Sequence, residues 1–413
     1  MDTKLRSHAE QIVASAIGSV LPDEAVQRAL RDRKFPGLVY LVAAGKAAWQ
    51  MAKAAYNCLG DRITDGIVIT KYHHVKGPIP HIQCFEAGHP VPDENTFLAT
   101  RKALKLTENL TDTDTVLFLL SGGGSALFED PLVPSNELQD ITRQLLACGA
   151  DITEINTIRK RLSKVKGGRF ALHCRPAKVF GIALSDVLGD APDKIASGPV
   201  SPDQSTSRQA VAIAEKYNLQ LTDVARKLLT QETPKEITDV QLEITGSVRQ
   251  LCNGAMEACR ALGYKPVLLT DMLTCQAKEA GAFLASILKT HAESKESLAF
   301  LAGGETVVKL TGKGLGGRNQ ELALAAADGI AQIPGAAVFS IGSDGTDGPT
   351  DAAGGYVDGE TAENMRNLGI SVHSVLQEND AYHALEKVDG LIFTGPTGTN
   401  VNDVAIGLLY RGE

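Results

Sequence analysis

Aromatic residues and excess positive charge are both scarce in this chain of 413 residues. Phe, Trp and Tyr make up 5% of the sequence, and the formal net charge is −8 at pH 7. Nucleic-acid-binding proteins need a basic surface, and those that bind single strands also stack bases on aromatic side chains. We therefore expect no nucleic-acid partner, although a local basic pocket for a small anion is compatible with this composition.

The seven cysteines form neither a disulfide framework nor a zinc site. They are scattered, their number is odd and no two have the Cys-x-x-Cys spacing, which is typical of reduced thiols in a cytoplasmic protein. The sequence also lacks an uninterrupted apolar run of about 18 residues, the length that a membrane-spanning helix needs. The N-terminal segment has no apolar block of the kind found in signal peptides. We expect a soluble, cytoplasmic protein with no membrane partner.

Apolar runs alternate with helical segments along the whole chain. In the N-terminal half, residues 38–44, 115–120 and 178–184 have the composition of parallel strands buried on both faces, and each run passes into a short turn. The alternation continues in the C-terminal half. Because the chain is too long for one ordinary core, this pattern predicts two three-layer α/β domains, residues 1–237 with a doubly wound parallel sheet and residues 238–413. We expect the active site in a cleft between them.

Glycines surround a charged segment in the C-terminal half. An apolar strand runs into Gly303, Gly304 and Glu305, and further glycines precede Arg318 and Asn319 at the start of a helix. Glycine lets the backbone approach a ligand closely, and the first turn of a helix favours an anion. A guanidinium group at that place indicates binding of a phosphate or a carboxylate. A glycine-rich surface hairpin is the alternative.

Two further anion sites are predicted at strand ends in the N-terminal half. Lys46 follows the first strand, as a P-loop lysine does, but Ala47 stands where a P-loop has Ser or Thr. We expect Lys46 to face an anion, with a surface lysine as the alternative. The loop of residues 121–125 reads Ser-Gly-Gly-Gly-Ser, which is typical of a phosphate cradle. A nucleophilic Ser121 is less favoured, because the Gly-x-Ser-x-Gly pattern is absent.

Acidic residues occur in two other loops. Asp186 and Asp190 follow the strand at 178–184, where a carboxylate can accept a proton from a substrate hydroxyl or reach Mg²⁺ through water. Helix capping by Asp186 is the alternative. Asp344, Asp347 and Asp351 lie in a glycine-rich loop that is either a site for a divalent cation or a set of Asx-turns.

Two familiar kinds of cofactor site are not indicated. A dinucleotide site needs Gly-x-Gly-x-x-Gly and an acidic residue about 20 positions further on. Here residues 43–48 read AAGKAA and the second strand ends in Thr and Lys at 70–71, which argues against a nicotinamide-dependent dehydrogenase. His73, His74 and His89 lie near predicted strand ends, but without Cys or Glu at ligand spacing they do not favour a metal site.

Taken in order, the motifs of this chain resemble those of the class II glycerate kinases, a family whose C-terminal half is known as the MOFRL domain. The matching segments are residues 44–47, 121–126, 156–161, 164, 167–168, 184–190, 197–199, 303–306, 316–321, 343–348 and 397–400. The resemblance implies ATP-dependent phosphorylation of D-glycerate, with 2-phosphoglycerate as the product. It also implies a Rossmann-like first domain.

Phosphoryl transfer needs positive charge on the moving phosphate, Mg²⁺ between phosphates and an acceptor hydroxyl held in line. We therefore expect Lys46 and Arg318 to neutralise the phosphate or the glycerate carboxylate, and Asp186 to act as the base or to orient the metal. The other expected substrate- or phosphate-binding residues are Ser121, Gly122, Gly123, Gly124, Ser125, Asp190, Glu305 and Asn319, and the expected metal ligands are Asp344 and Asp347.

Two other functions stay open on the sequence. An NAD(P)H-dependent hydroxypyruvate reductase is one, since members of the family have carried that label, but it would need a dinucleotide site. A non-catalytic sugar-acid-binding protein is the other, and it would not need so many charged residues at strand ends. We expect the protein to be a monomer or a homodimer.

Overall fold

The computed structural model describes residues 2–412. The chain divides into an N-terminal unit, residues 25–245, and a C-terminal unit, residues 1–24 with 246–413. The first helix, α1 (Thr3–Gly18), belongs to the C-terminal unit, and α2 (Pro22–Leu30) runs across the division. Within residues 2–412, no helix is long and apolar enough to cross a membrane.

The sheet of the N-terminal unit has six strands: β1 (Val39–Ala44), β2 (Ile63–Lys71), β3 (Ile82–Ala87), β4 (Thr115–Leu120), β5 (Lys178–Leu184) and β6 (Val240–Gly246). Their order is β3-β2-β1-β4-β5-β6, and β1 to β5 run parallel. The order reverses between β1 and β4, and in doubly wound sheets ligands bind at such a switch point, beyond the carboxyl ends of the strands. The expected parallel, Rossmann-like sheet is confirmed.

Helices cover both faces of this sheet, which explains why its central strands are apolar throughout. They are α3 (Ala48–Leu59), α4 (Glu94–Leu106), α5 (Gly124–Leu127), α6 (Ser135–Ala147), α7 (Ile152–Arg161), α8 (Arg169–His173), α9 (Ser207–Lys216) and α10 (Asp223–Leu229). Along β1, the side chains of Leu41 and Ala43 pack with residues of α2 and α3. Val42 and Ala44 pack on the opposite face with residues of α4 and α5.

The C-terminal unit also has a six-stranded sheet, of order β11-β10-β9-β12-β8-β7. The strands are β7 (Lys265–Leu273), β8 (Leu298–Gly304), β9 (Ala336–Gly342), β10 (Gly354–Asp358), β11 (Leu391–Ile392) and β12 (Asp403–Leu409). Only β7 and β8 pair in parallel in this sheet, whereas β12 is antiparallel to both of its neighbours and β10 to both of its own.

Helices again form the outer layers. They are α11 (Val248–Ala261), α12 (Ala277–Thr290), α13 (Arg318–Ala326), α14 (Thr361–Asn367), α15 (Val372–Glu378) and α16 (Ala381–Glu386). Gly303 of β8 faces Cys252 of α11, whereas Phe300 of the same strand packs in the cluster that contains α12 and α13. Because residues at odd and even positions of a strand point to opposite faces, these helices lie on the two sides of the sheet.

The structure divides the chain differently from the expected ranges 1–237 and 238–413. β6 extends the sheet of the N-terminal unit, so that this unit ends at residue 245. At the other end of the chain, α1 packs against α11, where Ser15 Oγ donates a hydrogen bond to the carbonyl of Gly254 at 3.3 Å. The first helix therefore groups with the C-terminal unit.

Candidate functional site

The carboxyl ends of three neighbouring strands carry groups that the sequence placed there. Lys46 follows β1, the segment 121–125 follows β4 and Asp186 follows β5. We call residues 121–125 the glycine loop. β1 and β4 end at the same level, because Ala44 pairs with Leu120. The parallel sheet thus brings these groups to one edge.

Gly45 shapes the turn that presents Lys46. Its φ is +130°, and a Cβ at this position would lie 2.2 Å from Oγ of Ser121, so only glycine fits. The N–H of Lys46 donates to the carbonyl of Gly122 at 2.9 Å, and the N–H of Ala47 donates to Ser121 Oγ at 3.0 Å. The buried Ser121 hydroxyl therefore links the turn after β1 to the glycine loop. This structural role argues against Ser121 as a nucleophile.

Two glycines of the glycine loop make room for side chains from other strands. A Cβ on Gly122 would lie 2.9 Å from Oδ2 of Asp186. A Cβ on Gly123, whose φ is +85°, would lie 2.9 Å from Nε2 of His89 and 3.3 Å from Cγ of Lys46. The side chains of an aspartate, a histidine and a lysine therefore gather along this loop.

His89 is a member of this group that the sequence analysis did not assign. It follows β3, which β2 separates from β1, and its only sequence signal was a place after a predicted strand. Neither ring nitrogen makes a hydrogen bond with another residue in the range 2–412. Burial, with the positive charges of Lys46, Lys71 and His74, lowers the pKa of His89 from its usual 6.5. The lowered pKa favours the neutral form of the imidazole.

Two positively charged side chains hold the end of the glycine loop that leads into α5. Arg159 Nη2 donates to the carbonyl of Ser125 at 3.1 Å. Lys166 Nζ donates to the carbonyl of Phe128 at 2.8 Å and pairs with Glu129 Oε2 at 3.0 Å. Burial lowers the pKa of Lys166 to about 8, against the opposing charge of Glu129. These contacts fix both ends of α5, which the loop leads into.

A turn with left-handed backbone packs against the same loop. Ala196 and Ser197 have φ values of +50° and +61°, a conformation that costs non-glycine residues about 1–3 kcal/mol each and clusters at functional sites. Ser197 Oγ lies 3.1 Å from Ser125 Oγ and donates to Asn156 Oδ1 at 3.0 Å. Ser125 therefore contacts this turn as well as Arg159 of α7.

The loop after β5 carries two carboxylates in different environments. No α-helix begins between β5 and α9 in the described chain, so the helix-capping alternative for Asp186 is wrong, and its side chain is exposed. Asp190 has a φ of +51°, and its Oδ1 is buried without a hydrogen-bond partner in the range 2–412. A buried carboxylate oxygen without a donor is costly, and a cation or a water would satisfy it.

In the C-terminal unit, Arg318 is the first residue of α13 and is held by two carboxylates. Its Nε and Nη2 donate to Asp403 at 2.6 and 3.0 Å, and its Nη1 donates to Glu305 at 3.0 Å. Burial opposes the charge, but the hydrogen bonds to Asp403 raise the pKa of Arg318 above its usual value. A guanidinium group has five N–H donors, so some stay available for an anion.

Asp403 was not predicted from the sequence as a site residue. It is the first residue of β12, and a charge at the start of an otherwise apolar strand was its only signal. A bidentate pair of this kind fixes the plane of a guanidinium group. The structure therefore explains how the exposed part of Arg318 is oriented.

The anion at the start of α13 is a carboxylate of the protein itself. Asp347 accepts the N–H of Asn319 at 3.1 Å and that of Gln320 at 2.8 Å. It is 2% exposed, and burial raises its pKa to about 6. The Asn319 side chain is also used internally, because its Oδ1 accepts from Ser340 Oγ at 2.5 Å. Substrate binding by Asn319 stays a prediction.

The acidic loop 344–351 makes local hydrogen bonds. Asp344 Oδ1 accepts the N–H of Thr346 at 3.0 Å, which is the Asx-turn that was one of the two expectations for this loop. No group of three or more His, Cys, Asp or Glu side chains within residues 2–412 is arranged to hold a metal ion. Metal binding by Asp344 and Asp347 stays a prediction.

The glycine-rich segment 305–317 is not a β-hairpin. Val307 forms an isolated β-bridge with Gln276, and residues 305–317 contain no paired strands. The N–H of Gly312 donates to Asn379 Oδ1 at 2.9 Å, and that of Leu315 donates to Asp380 Oδ1 at 2.9 Å. The turn between α15 and α16 therefore holds this segment in place on its way to α13.

Comparison with known proteins gives two family matches and several full-length relatives. The model of a domain of unknown function, DUF4147, matches residues 8–230, and the model of the MOFRL family matches residues 298–403. A D-glycerate 2-kinase of Thermotoga maritima is 50% identical over 98% of each chain. A glycerate 2-kinase of Pyrococcus horikoshii is 40% identical over 97% of this chain and 96% of its own. The crystal structure of a Thermotoga maritima glycerate kinase superposes with a TM-score of 0.94, over 98% of this chain and 100% of that one.

Proposed function

Because this chain belongs to the glycerate kinase family with a C-terminal MOFRL region, we propose that it transfers the γ-phosphoryl group of ATP to D-glycerate. The observation that carries the proposal is the match along 98% of both chains to a D-glycerate 2-kinase, at 50% identity. That relative's name supports the hydroxyl at C2 as the acceptor. The expected product is 2-phosphoglycerate.

The reaction forms a bond between a glycerate oxygen and the γ-phosphorus and breaks the bond from that phosphorus to ADP, which leaves with the electron pair. Negative charge spreads over the transferred group, so catalysis is mostly positioning and electrostatic stabilisation. In the proposed mechanism Lys46 supplies positive charge to this group. The backbone of the glycine loop holds a phosphate or the substrate, and the buried contacts of Arg159 and Lys166 keep that loop in shape.

We assign Arg318 to the phosphate or to the glycerate carboxylate. Its bidentate pair with Asp403 and its contact with Glu305 fix the guanidinium group before a ligand arrives. A group held in advance needs no reorganisation at the moment of reaction, which is what electrostatic catalysis requires. In this account Asp403 and Glu305 are positioning residues.

The acidic loop after β5 fits a magnesium ion. Mg²⁺ in kinases is held mainly by phosphate oxygens, with one or two carboxylates and waters, so a cluster of many acids is unnecessary. Asp186 and Asp190 would hold it, since Asp190 Oδ1 is a buried acceptor that no donor within residues 2–412 satisfies. Bound there, Mg²⁺ would neutralise phosphate charge. Asp186 would then either orient the metal or accept the proton of the glycerate hydroxyl.

A nicotinamide-dependent hydroxypyruvate reductase is less well supported. The turn after β1 has a single glycine, and β2 ends in Thr70 and Lys71, where a ribose-binding acid would be needed. A non-catalytic sugar-acid-binding protein would not explain a lysine, a histidine and two acids at one sheet edge. We also propose a cytoplasmic location, in keeping with seven free cysteines, and a monomer or a homodimer.

A coupled assay tests the proposal. We expect ADP release that depends on D-glycerate and on Mg²⁺, with L-glycerate and hydroxypyruvate far less active as phosphoryl acceptors. NADH and NADPH oxidation with hydroxypyruvate is measured in parallel on the same preparation. Consumption of a nicotinamide cofactor without ADP release would replace the kinase by the reductase.

A further inference from the structure

His89 lies at the glycine loop, and the mechanism above gives it no role. A Cβ on Gly123 would meet its Nε2 and Cδ2 at 2.9 Å, and the same point lies 3.3 Å from Cγ of Lys46. Because His89 follows β3, its side chain extends past the carboxyl ends of β2 and β1 to reach the glycine loop, which follows β4. Gly122, the next residue of the loop, makes the corresponding close approach to Asp186.

The ring of His89 has unused hydrogen-bonding capacity, in contrast to other histidines of the same unit. His74 places Nδ1 at 3.0 Å from the carbonyl of Lys46, and His173 places Nε2 at 2.8 Å from the carbonyl of Leu104. Both rings are anchored by the backbone. The His89 ring has no such partner within residues 2–412, although it is half-buried beside a loop of the candidate site.

The charges around this imidazole are mostly positive. Burial lowers the pKa of His89, and Lys46 at the end of β1, Lys71 at the end of β2 and His74 in the following turn act in the same direction. Two carboxylates are near the same edge. Asp93 is engaged as the N-cap of α4, and Asp186 lies by the adjacent glycine of the loop. A neutral imidazole in this setting keeps one nitrogen as a hydrogen-bond acceptor.

We propose that His89 is a catalytic residue of this protein, whose imidazole contacts the reacting hydroxyl of glycerate and accepts its proton. The inference rests on the proposed kinase function. In the step, the hydroxyl O–H bond breaks and its proton moves to the free ring nitrogen. The oxygen bonds the γ-phosphorus, and ADP leaves with the electrons of the broken P–O bond. The imidazolium then releases the proton to water.

The proposal also decides between the two roles left open for Asp186. If His89 accepts the proton, Asp186 is left to orient Mg²⁺. A general base works best when its pKa lies near the working pH, and the ordinary pKa of an imidazole, about 6.5, lies close to neutral pH. The two side chains lie beside consecutive glycines, so one loop would serve both tasks.

The test measures kcat and kcat/KM for D-glycerate from pH 5 to 9 in the wild type and in His89→Asn. For the wild type we expect kcat/KM to fall at acid pH with a pKa below 6.5, because protonation of the imidazole removes the base. In His89→Asn we expect kcat to fall about 10²–10⁴-fold, with KM for ATP changed by less than about threefold. The acid limb should disappear in this variant.

Three comparisons make the result specific. His81→Asn changes an exposed histidine near β3 that pairs with Asp61, and it should behave as the wild type. Asp186→Asn should lose activity but keep the acid limb. Circular dichroism of His89→Asn, with His89→Gln as a second variant, checks that the fold is intact.

The outcomes separate this inference from the proposed function. An active wild type whose His89→Asn variant keeps kcat within about threefold, or loses kcat while the acid limb persists, overturns the role of His89 and leaves the kinase standing. A wild type that releases no ADP with D-glycerate overturns the kinase itself.

Discussion

At the scale of single residues, Arg318 shows how this chain fixes the orientation of a charged side chain. Asp403 accepts two of its hydrogen bonds and Glu305 a third, so these carboxylates use three of the five N–H donors of the guanidinium group. Lysine could not replace it, because an ammonium group is a point charge without the planar fork that a bidentate pair needs. The role of Arg318 should therefore depend on its geometry as well as its charge.

We expect Arg318→Ala to reduce kcat for D-glycerate on the order of 10³-fold, the size of effect that an arginine stabilising the transferred phosphoryl group has in GTPases. Arg318→Lys should recover little of this activity. Arg260→Lys, at an exposed position of α11, is the matched control, and its kcat for D-glycerate should equal that of the wild type. Steady-state kinetics at saturating ATP decides the matter. If folded Arg318→Ala loses less than about tenfold in kcat, Arg318 does not contact the transferred phosphoryl group.

At the scale of elements, the strand ends were the predictable part of the site. Apolar runs that pass into glycine-bearing turns marked Lys46, the glycine loop and Asp186, and the parallel sheet brings them to one edge. His89 and Asp403 were not assigned, because their importance depends on contacts with residues far along the chain. His89 meets Gly123, and Asp403 meets Arg318, and no local pattern encodes either pair.

The start of α13 illustrates the same limit. The glycine pair before Arg318 predicted a helix start that favours an anion, and α13 does begin at Arg318. The partner of its first N–H groups is Asp347, which lies 28 residues further on and was expected to bind a metal. The local sequence thus indicated that an anionic group binds the start of α13. The fold determined that this group is the carboxylate of Asp347.

We expect Asp347→Ala to destabilise the C-terminal unit by about 2–3 kcal/mol. The change removes a helix cap and leaves buried N–H groups of Asn319 and Gln320 without an acceptor, and each effect costs about 1–2 kcal/mol. Urea denaturation followed by circular dichroism measures the loss. Asp328→Ala, an exposed acid beyond the other end of α13, is the control and should stay within about 0.5 kcal/mol of the wild type. Equal stability of the two variants would refute the capping role.

At the scale of the whole molecule, the chain length and the two alternations predicted two α/β units, and both sheets are covered by helices on each face. Which elements become neighbours in the fold was not predictable from the sequence. β6 completes the first sheet, α1 packs on α11, and β12 inserts antiparallel between β8 and β9. The pattern of an apolar strand or an amphipathic helix predicts that the element packs against another one. It does not identify the element against which it packs.

The central claim is that this chain phosphorylates D-glycerate at C2. ³¹P NMR of the purified protein with Mg-ATP and D-glycerate tests it most directly. We predict the signals of ADP and a new phosphomonoester whose phosphorus couples to a single proton, because C2 of glycerate carries one hydrogen. Coupling to two protons would place the phosphate on C3 and contradict the proposed product. Absence of any new phosphomonoester would contradict the kinase.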